Sequence, residues 1–152
     1  MISPGQADKI KVRYVIFKEG ELFMKDTTQI RKLVLDFYEA ALNEKNVEKT
    51  RKFLGEKYIQ HNPHVAEGPE GLLRLVQFRH DKFPGGRNEV KRVIAEGDLV
   101  VLQVHSVLVP GTPGRKIVDI FRVEGNKVVE HWDVIQEITE ELYPPINDNG
   151  PF

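Results

Sequence analysis

The sequence predicts an α+β domain in which helices come first and an antiparallel sheet follows. Three observations carry this. Between residues 26 and 82 apolar side chains recur at three- and four-residue spacing. From residue 88 onward Val, Ile and Phe dominate in runs that short turn-rich breaks divide. No repeat, low-complexity segment or linker separates the two halves, so the helices must cover one face of the sheet.

Composition narrows the function classes. A chain of 152 residues is most simply one domain with a substantial core. With 22 basic and 23 acidic residues and no long basic run, neither nucleic acid nor an anionic membrane is a favoured partner. The absence of cysteine excludes disulfides, thiolate catalysis and cysteine-ligated metal. MISPGQADKIK lacks the apolar core of a signal peptide, and the most apolar stretch, Leu99 to Val109, is too short to span a membrane. A soluble, cytoplasmic protein is expected.

Taking the elements in order, residues 1–23 form an N-terminal extension, with Lys9 to Phe17 either an added edge strand or part of a loose prefix. The domain proper would start at Met24. Asp26, Thr27 and Thr28 offer N-caps for a helix to about Glu44, whose stripe is Ile30, Leu33, Val34, Phe37, Tyr38, Ala41 and Leu42. Asn46 caps a short second helix through Leu54, ended by Gly55. Tyr58 to Pro63 follows as an extended segment. Pro69 to about Lys82 is the third helix, with Leu72, Leu73, Leu75, Val76 and Phe78 apolar. Val90 to Ala95, Leu99 to Val109, Lys116 to Val123 and Lys127 to Gln136 are four strands. Glu137 to Leu142 adds a possible helical turn before an irregular tail.

The last three strands carry the polar residues of interest. If Pro110 to Gly114 is the turn between two of them, Val109 faces Arg115 and His105 lies opposite Asp119. If Gly125-Asn126 is a two-residue type II′ turn, Glu124 faces Lys127 and Asp119 lies opposite Trp132. His105, Asp119 and Trp132 would then form one row on one face, with His131 and Asp133 on the other. A one-residue slip in either turn would exchange the faces.

Two chemistries compete for these residues. Neutral imidazoles with an Asp can bind zinc or iron. However, this register separates His131 from His105 and Asp119, and Pro63 breaks His61-x-x-His64 as a helical ligand pair. Separate hydrogen-bonded histidines, with no metal, are expected. The alternative is acid/base work by Asp119, a carboxylate set in mid-strand between Val118 and Ile120. Burial would favour its neutral form and a protonated His105 its charged form, and either is useful beside a carbonyl. The bland reading is a partly exposed Asp119 paired with His105, Arg115 or a backbone amide. Trp132 is read first as core.

Several segments resemble the SnoaL-like group of the nuclear transport factor 2-like superfamily, and within it small bacterial proteins of predicted aldol-condensation activity. They are Tyr58-Ile-Gln-His-Asn-Pro-His64 with Glu67-Gly68, Arg92 to Asp98, Val118-Asp-Ile-Phe-Arg-Val123, Val129-Glu-His-Trp-Asp-Val-Ile-Gln136, and Asn147 to Gly150 with Phe152. The likeness spans Met24 to Phe152. It implies a cone of three helices on a strongly curved antiparallel sheet, enclosing a pocket, and a homodimer through the outer sheet face. In SnoaL-like cyclases a pocket acid performs an intramolecular aldol condensation without cofactor or metal. The position matching that acid is Asp119. The resemblance also implies that His105, His61, Gln60 and Asn62 line the pocket and that Trp132 walls it. Relatives often carry a second His where this chain has Gln103, which further weakens a shared metal site.

The scaffold hosts cyclases, isomerases, epoxide hydrolases, dehydratases and proteins that only bind, so the reaction is inferred by analogy. The leading expectation is a cofactor-independent enzyme acting on a small hydrophobic carbonyl compound, of aldol cyclase or isomerase type. Asp119 would be the acid/base and His105 would orient it. His61 with Gln60 or Asn62 would hold the substrate oxygen, while Phe121, Trp132, Phe37 and Tyr38 enclose the apolar part. The alternative is a non-catalytic small-ligand-binding or dimerisation module of the same fold.

Overall fold

The computed structural model describes residues 27–139, 144 and 146–152. The anticipated strand at Lys9 to Phe17, the domain start at Met24 and most of the helical turn after Glu137 lie outside the described residues. Helix α1 (Thr28–Tyr38) continues into a π-helical turn at Glu39–Asn43. Its apolar stripe buries Val34, Phe37, Tyr38, Ala40 and Ala41. Thr27 precedes the helix without a side-chain cap bond. Asn46 does cap α2 (Val47–Arg51), accepting from the Lys49 N–H at 2.9 Å. Helix α3 (Gly68–Lys82) starts with Pro in its first turn and buries Gly71, Leu72, Leu73 and Val76.

The sheet contains β1 (Leu54–Gln60), β2 (Arg87–Glu96), β3 (Leu99–Val107), β4 (Arg115–Glu124) and β5 (Lys127–Glu137), in the order β1-β5-β4-β3-β2. The four expected strands form an antiparallel meander. A fifth, β1, lies parallel to β5 and occupies the stretch expected to end a helix at Gly55 and continue as an extended segment. The helices cover one sheet face, where Val100, Leu102, Val104, Ile117, Phe121, Val123 and Val128 join the α1 and α3 side chains in one core.

Both registers differ from expectation, and each difference has a local cause. At the β4–β5 turn Gly125 and Asn126 have φ of 53° and 59°, so the turn is type I′ and not type II′. Glu124 does pair with Lys127, and Val123 with Val128. The next pair is Arg122 with Glu130, which leaves Val129 as an extra residue in a β-bulge. Asp119 therefore faces Asp133, and Trp132 faces Ile120. Gly55 provides the room, since a Cβ there would stand 2.9 Å from a Val129 methyl.

At the β3–β4 connection, the Thr112 N–H and hydroxyl both bond to the Val109 carbonyl, at 3.2 and 2.8 Å, closing a turn before the strand resumes. Arg115 pairs with Ser106 instead of Val109. Asp119 lies opposite Leu102, and His105 opposite Lys116. An odd shift at each turn exchanges the faces. Asp119, His131 and Asp133 point toward the helices, while His105 and Trp132 lie on the outer face.

Gly114 makes the observed β3–β4 register possible. Its φ is +75°, and a Cβ there would stand 2.4 Å from the Ser106 carbonyl oxygen. Gly114→Ala is expected to lower unfolding stability by more than about 1 kcal/mol, read as a lower urea midpoint at an unchanged slope.

Candidate active site

Between the helices and the inner sheet face lies a cavity of about 250 Å³. That is roughly eight water volumes at ~30 Å³ each, room for a small molecule. Phe37, Leu72, Leu75, Phe83, Ile117 and Phe121 supply most of its apolar wall, and its polar groups converge on the β4–β5 strands. Tyr38 arrives from the last position of α1, Gln60 from the end of β1 and Asn62 from the segment beyond it. The bulge delivers His131 and Asp133.

These side chains form one ordered chain of hydrogen bonds. The Asn62 backbone N–H donates to Gln60 Oε1 at 2.9 Å, which fixes that atom as an acceptor. His131 Nδ1 lies 2.9 Å from the same oxygen and must carry the proton. Its other nitrogen, Nε2, meets Asp119 Oδ1 at 2.9 Å, and the Tyr38 hydroxyl donates to Asp119 Oδ2 at 2.8 Å. One proton therefore lies between His131 and Asp119. Either imidazolium faces carboxylate, or neutral imidazole accepts from a protonated carboxyl. Both states have zero net charge and hold the same number of protons, so the shared proton can shift between the two groups without leaving an isolated ion in the core. Tyr38, Asp119 and His131 are 1%, 4% and 8% exposed.

Asp133, beside this pair, accepts from Asn62 Nδ2 at 2.6 Å. The Gln60 Nε2 donor is buried without a hydrogen-bond partner among the described residues. It influences Tyr58, whose pKa it lowers against the larger upward push of burial, but the contact falls short of a hydrogen bond. Burial, and then the neighbouring Asp119, hold the Tyr38 hydroxyl well above its ordinary pKa.

The structure brings together Asp119, Gln60, Asn62, Tyr38, Phe37 and Phe121 around the cavity. It does not bring His105, His61 or Trp132 there. His105 Nε2 meets the Pro113 carbonyl at 2.8 Å, and its ring packs 4.9 Å from Phe152. His61 stacks on Trp132 at 4.8 Å and pairs with Glu130 at 2.9 Å. Arg122 lies over the same Trp132 ring and bonds to Glu130 and Asp98. Trp132 is thus the centre of an outer-face cluster. Sequence reasoning missed His131 and Asp133 as partners of Asp119. The available signal was the Val128-Val129 doublet, which breaks the alternation where the bulge occurs.

The register that separated His131 from Asp119 also carried the argument against their sharing a metal. In the observed register, ligand atoms of Asp119, His131 and Asp133 lie within 4.8 Å of one another. An ion there would have to replace the proton between Asp119 and His131, because both His131 nitrogens already face oxygen atoms.

A sequence model of the family described as SnoaL-like polyketide cyclase matches residues 32–141. No curated protein matches the chain. Among solved structures, a polyketide cyclase designated putative from Acidithiobacillus ferrooxidans superposes with a TM-score of 0.61 at 22% identity, covering 74% of this chain and 91% of its own. TsrD from Streptomyces laurentii gives 0.61 at 21% identity, over 72% and 90% of the two chains. An LEH-like epoxide hydrolase from M. tuberculosis gives 0.61 at 18%, over 72% and 84%. The fold is the NTF2-like α+β cone.

The buried tyrosines predict alkaline sensitivity. Tyr38 and Tyr58 both have pKa values raised by burial in the folded protein, against about 10 in an unfolded chain. The folded state holds these protons more tightly, so their contribution is complete below pH ~10 and is lost as pH rises beyond it. Tyr38→Phe is expected to flatten the fall of the urea midpoint above pH ~10; an unchanged slope would mean that the hydroxyl is not buried.

Proposed function

Because this chain belongs to the SnoaL-like polyketide cyclase family, we propose that its cavity is an acid/base site acting on a small hydrophobic carbonyl compound, without cofactor, in an aldol cyclase or isomerase type of reaction. The observation that carries this reading is the Asp119–His131 pair, set with Tyr38 at the end of an apolar cavity. The Asp119 carboxylate removes a proton from the carbon next to the substrate carbonyl. The electron pair moves onto the carbonyl oxygen, and the enolate oxygen accepts from Gln60 Nε2, a buried donor with no hydrogen-bond partner among the described residues. The enolate carbon then forms a bond to a second carbonyl carbon. The alkoxide so produced takes the proton back from the Asp119–His131 pair, restoring it. In an isomerisation the same proton returns to a different carbon.

Each residue has a separate task. Tyr38 holds Asp119 by its second oxygen, and Gln60 fixes the His131 tautomer through Nδ1. Asn62 orients both Gln60 and Asp133. Phe37 and Phe121 pack edge to face at 5.5 Å and enclose the apolar part of the substrate. The rival is a non-catalytic binding module using the same cavity. Deuterium exchange at the carbon next to the carbonyl of short ketones, followed by NMR, separates the two. Asp119→Asn is expected to slow protein-catalysed exchange by about 100-fold or more. Exchange at the wild-type rate in that variant, or none in the wild type, would favour the binding module.

We further propose that a second copy covers the outer sheet face. Ile94, Val118 and Val134, on β2, β4 and β5, are exposed there by 61%, 38% and 69%, an apolar patch of the kind that marks an interface. Sedimentation is expected to give twice the chain mass of 17.5 kDa for the wild type and the single-chain mass for Val134→Glu. A wild-type monomer would remove the dimer.

A further inference from the structure

Helix α3 turns Leu72, Leu73 and Val76 toward the core, and Arg79 follows one turn later on the same stripe. A guanidinium occupies a place where helical periodicity calls for an apolar side chain. Arg79 lines the cavity, and its Nη1 is buried with no hydrogen-bond partner among the described residues. Burial depresses its pKa and Arg115 adds to that, while Tyr38, Asp119 and Asp133 act in the opposite direction. A guanidinium nitrogen buried without a partner is destabilising. The two cavity carboxylates do not relieve it by contact: Asp119 is engaged by Tyr38 and His131, and Asp133 by Asn62.

The other charges of the lining do not neutralise Arg79 by contact. Since the Asp119–His131 pair is neutral in either of its proton arrangements, the remaining charged groups in the lining are Arg79, Arg115 and Asp133. Arg115 is ion-paired with Glu137 at 3.8 Å, and among the described residues Arg79 makes no ion pair. The rest of the wall is mostly apolar.

We infer that the ligand is a small oxo acid, a carbonyl compound bearing one carboxylate, with that carboxylate paired to Arg79 and its carbonyl end directed at Gln60 and Asp119. The inference rests on the acid/base reading of the cavity and adds to it the charge of the substrate. A carboxylate would supply the counter-charge that Arg79 lacks, and its planar pair of oxygens fits the fork of a guanidinium. The apolar wall and the 250 Å³ of space suit a short carbon chain between the two polar ends.

The test compares 4-oxopentanoate with its methyl ester, two probes that differ in charge at one end, by NMR titration. The wild type is expected to bind the acid at least about tenfold more tightly, the scale of one charge-assisted contact. Arg79→Met is expected to bring the ratio near one while melting no lower than the wild type, because it removes a guanidinium nitrogen buried without a partner. Arg79→Lys, which keeps the charge but not the fork, should restore part of the preference. Equal binding of acid and ester by the wild type, a preference that survives in Arg79→Met, or no binding of either probe would overturn the inference. The two readings fail separately. Asp119-dependent exchange on the ester without preference for the acid removes the oxo acid and leaves the acid/base site. Arg79-dependent preference without Asp119-dependent exchange removes the acid/base chemistry and leaves the carboxylate site.

Discussion

The extra residue at Val129 is the constraint on which the site depends. In an extended strand side chains alternate between faces, so one inserted position reverses the assignment of everything beyond it. Before the bulge, Val128 is buried against the helices; after it, His131 is the next buried β5 side chain. Without the bulge, Glu130 and Trp132 would face the core and His131 would face outward. The inner surface would then have no proton partner for Asp119, and the outer surface would lose the His61–Trp132–Arg122 cluster. Gly55 on the neighbouring strand supplies the space for this arrangement.

The helical layer makes a complementary adjustment. Tyr38 is the last residue of α1, and the following turn widens to π geometry, a local departure often found beside functional groups. Asn43 and Asn88 hold this turn to β2, with Asn43 Nδ2 donating to the Asn88 carbonyl at 3.0 Å and the Asn88 N–H returning to Asn43 Oδ1 at 2.8 Å. Lys45 then leaves the helix with φ of 53° and ties its ammonium to the Pro84 and Gly86 carbonyls. The Tyr38 hydroxyl is thereby carried on backbone tied to the start of β2. Its bond to Asp119 joins residues 81 positions apart.

Electrostatics and packing serve different ends in this cavity. The neutral Asp119–His131 pair is compatible with burial because its proton moves over a single contact of 2.9 Å. Arg79 is not compensated in that way. Its presence on an otherwise apolar helix stripe trades stability for recognition, as binding sites commonly do.

The sequence by itself determined the order of elements, the apolar faces of the helices, the cap at Asn46, the turn at Gly125-Asn126 and the place of Asp119 in mid-strand, because each depends on neighbours a few positions away. It also held the motif that carries the family resemblance. Only the tertiary structure decided which histidine meets Asp119. That choice depends on where β4 resumes after Thr112 and Gly114, on the bulge at Val129, and on β1 lying parallel beside β5. Strand alternation converts a shift of one residue into a change of face, so local errors too small to disturb the fold class moved His105 and Trp132 outward and His131 inward. Arg79 followed the same rule in reverse. Its periodic position was readable, but whether it had a partner was a property of side chains brought together from distant parts of the chain.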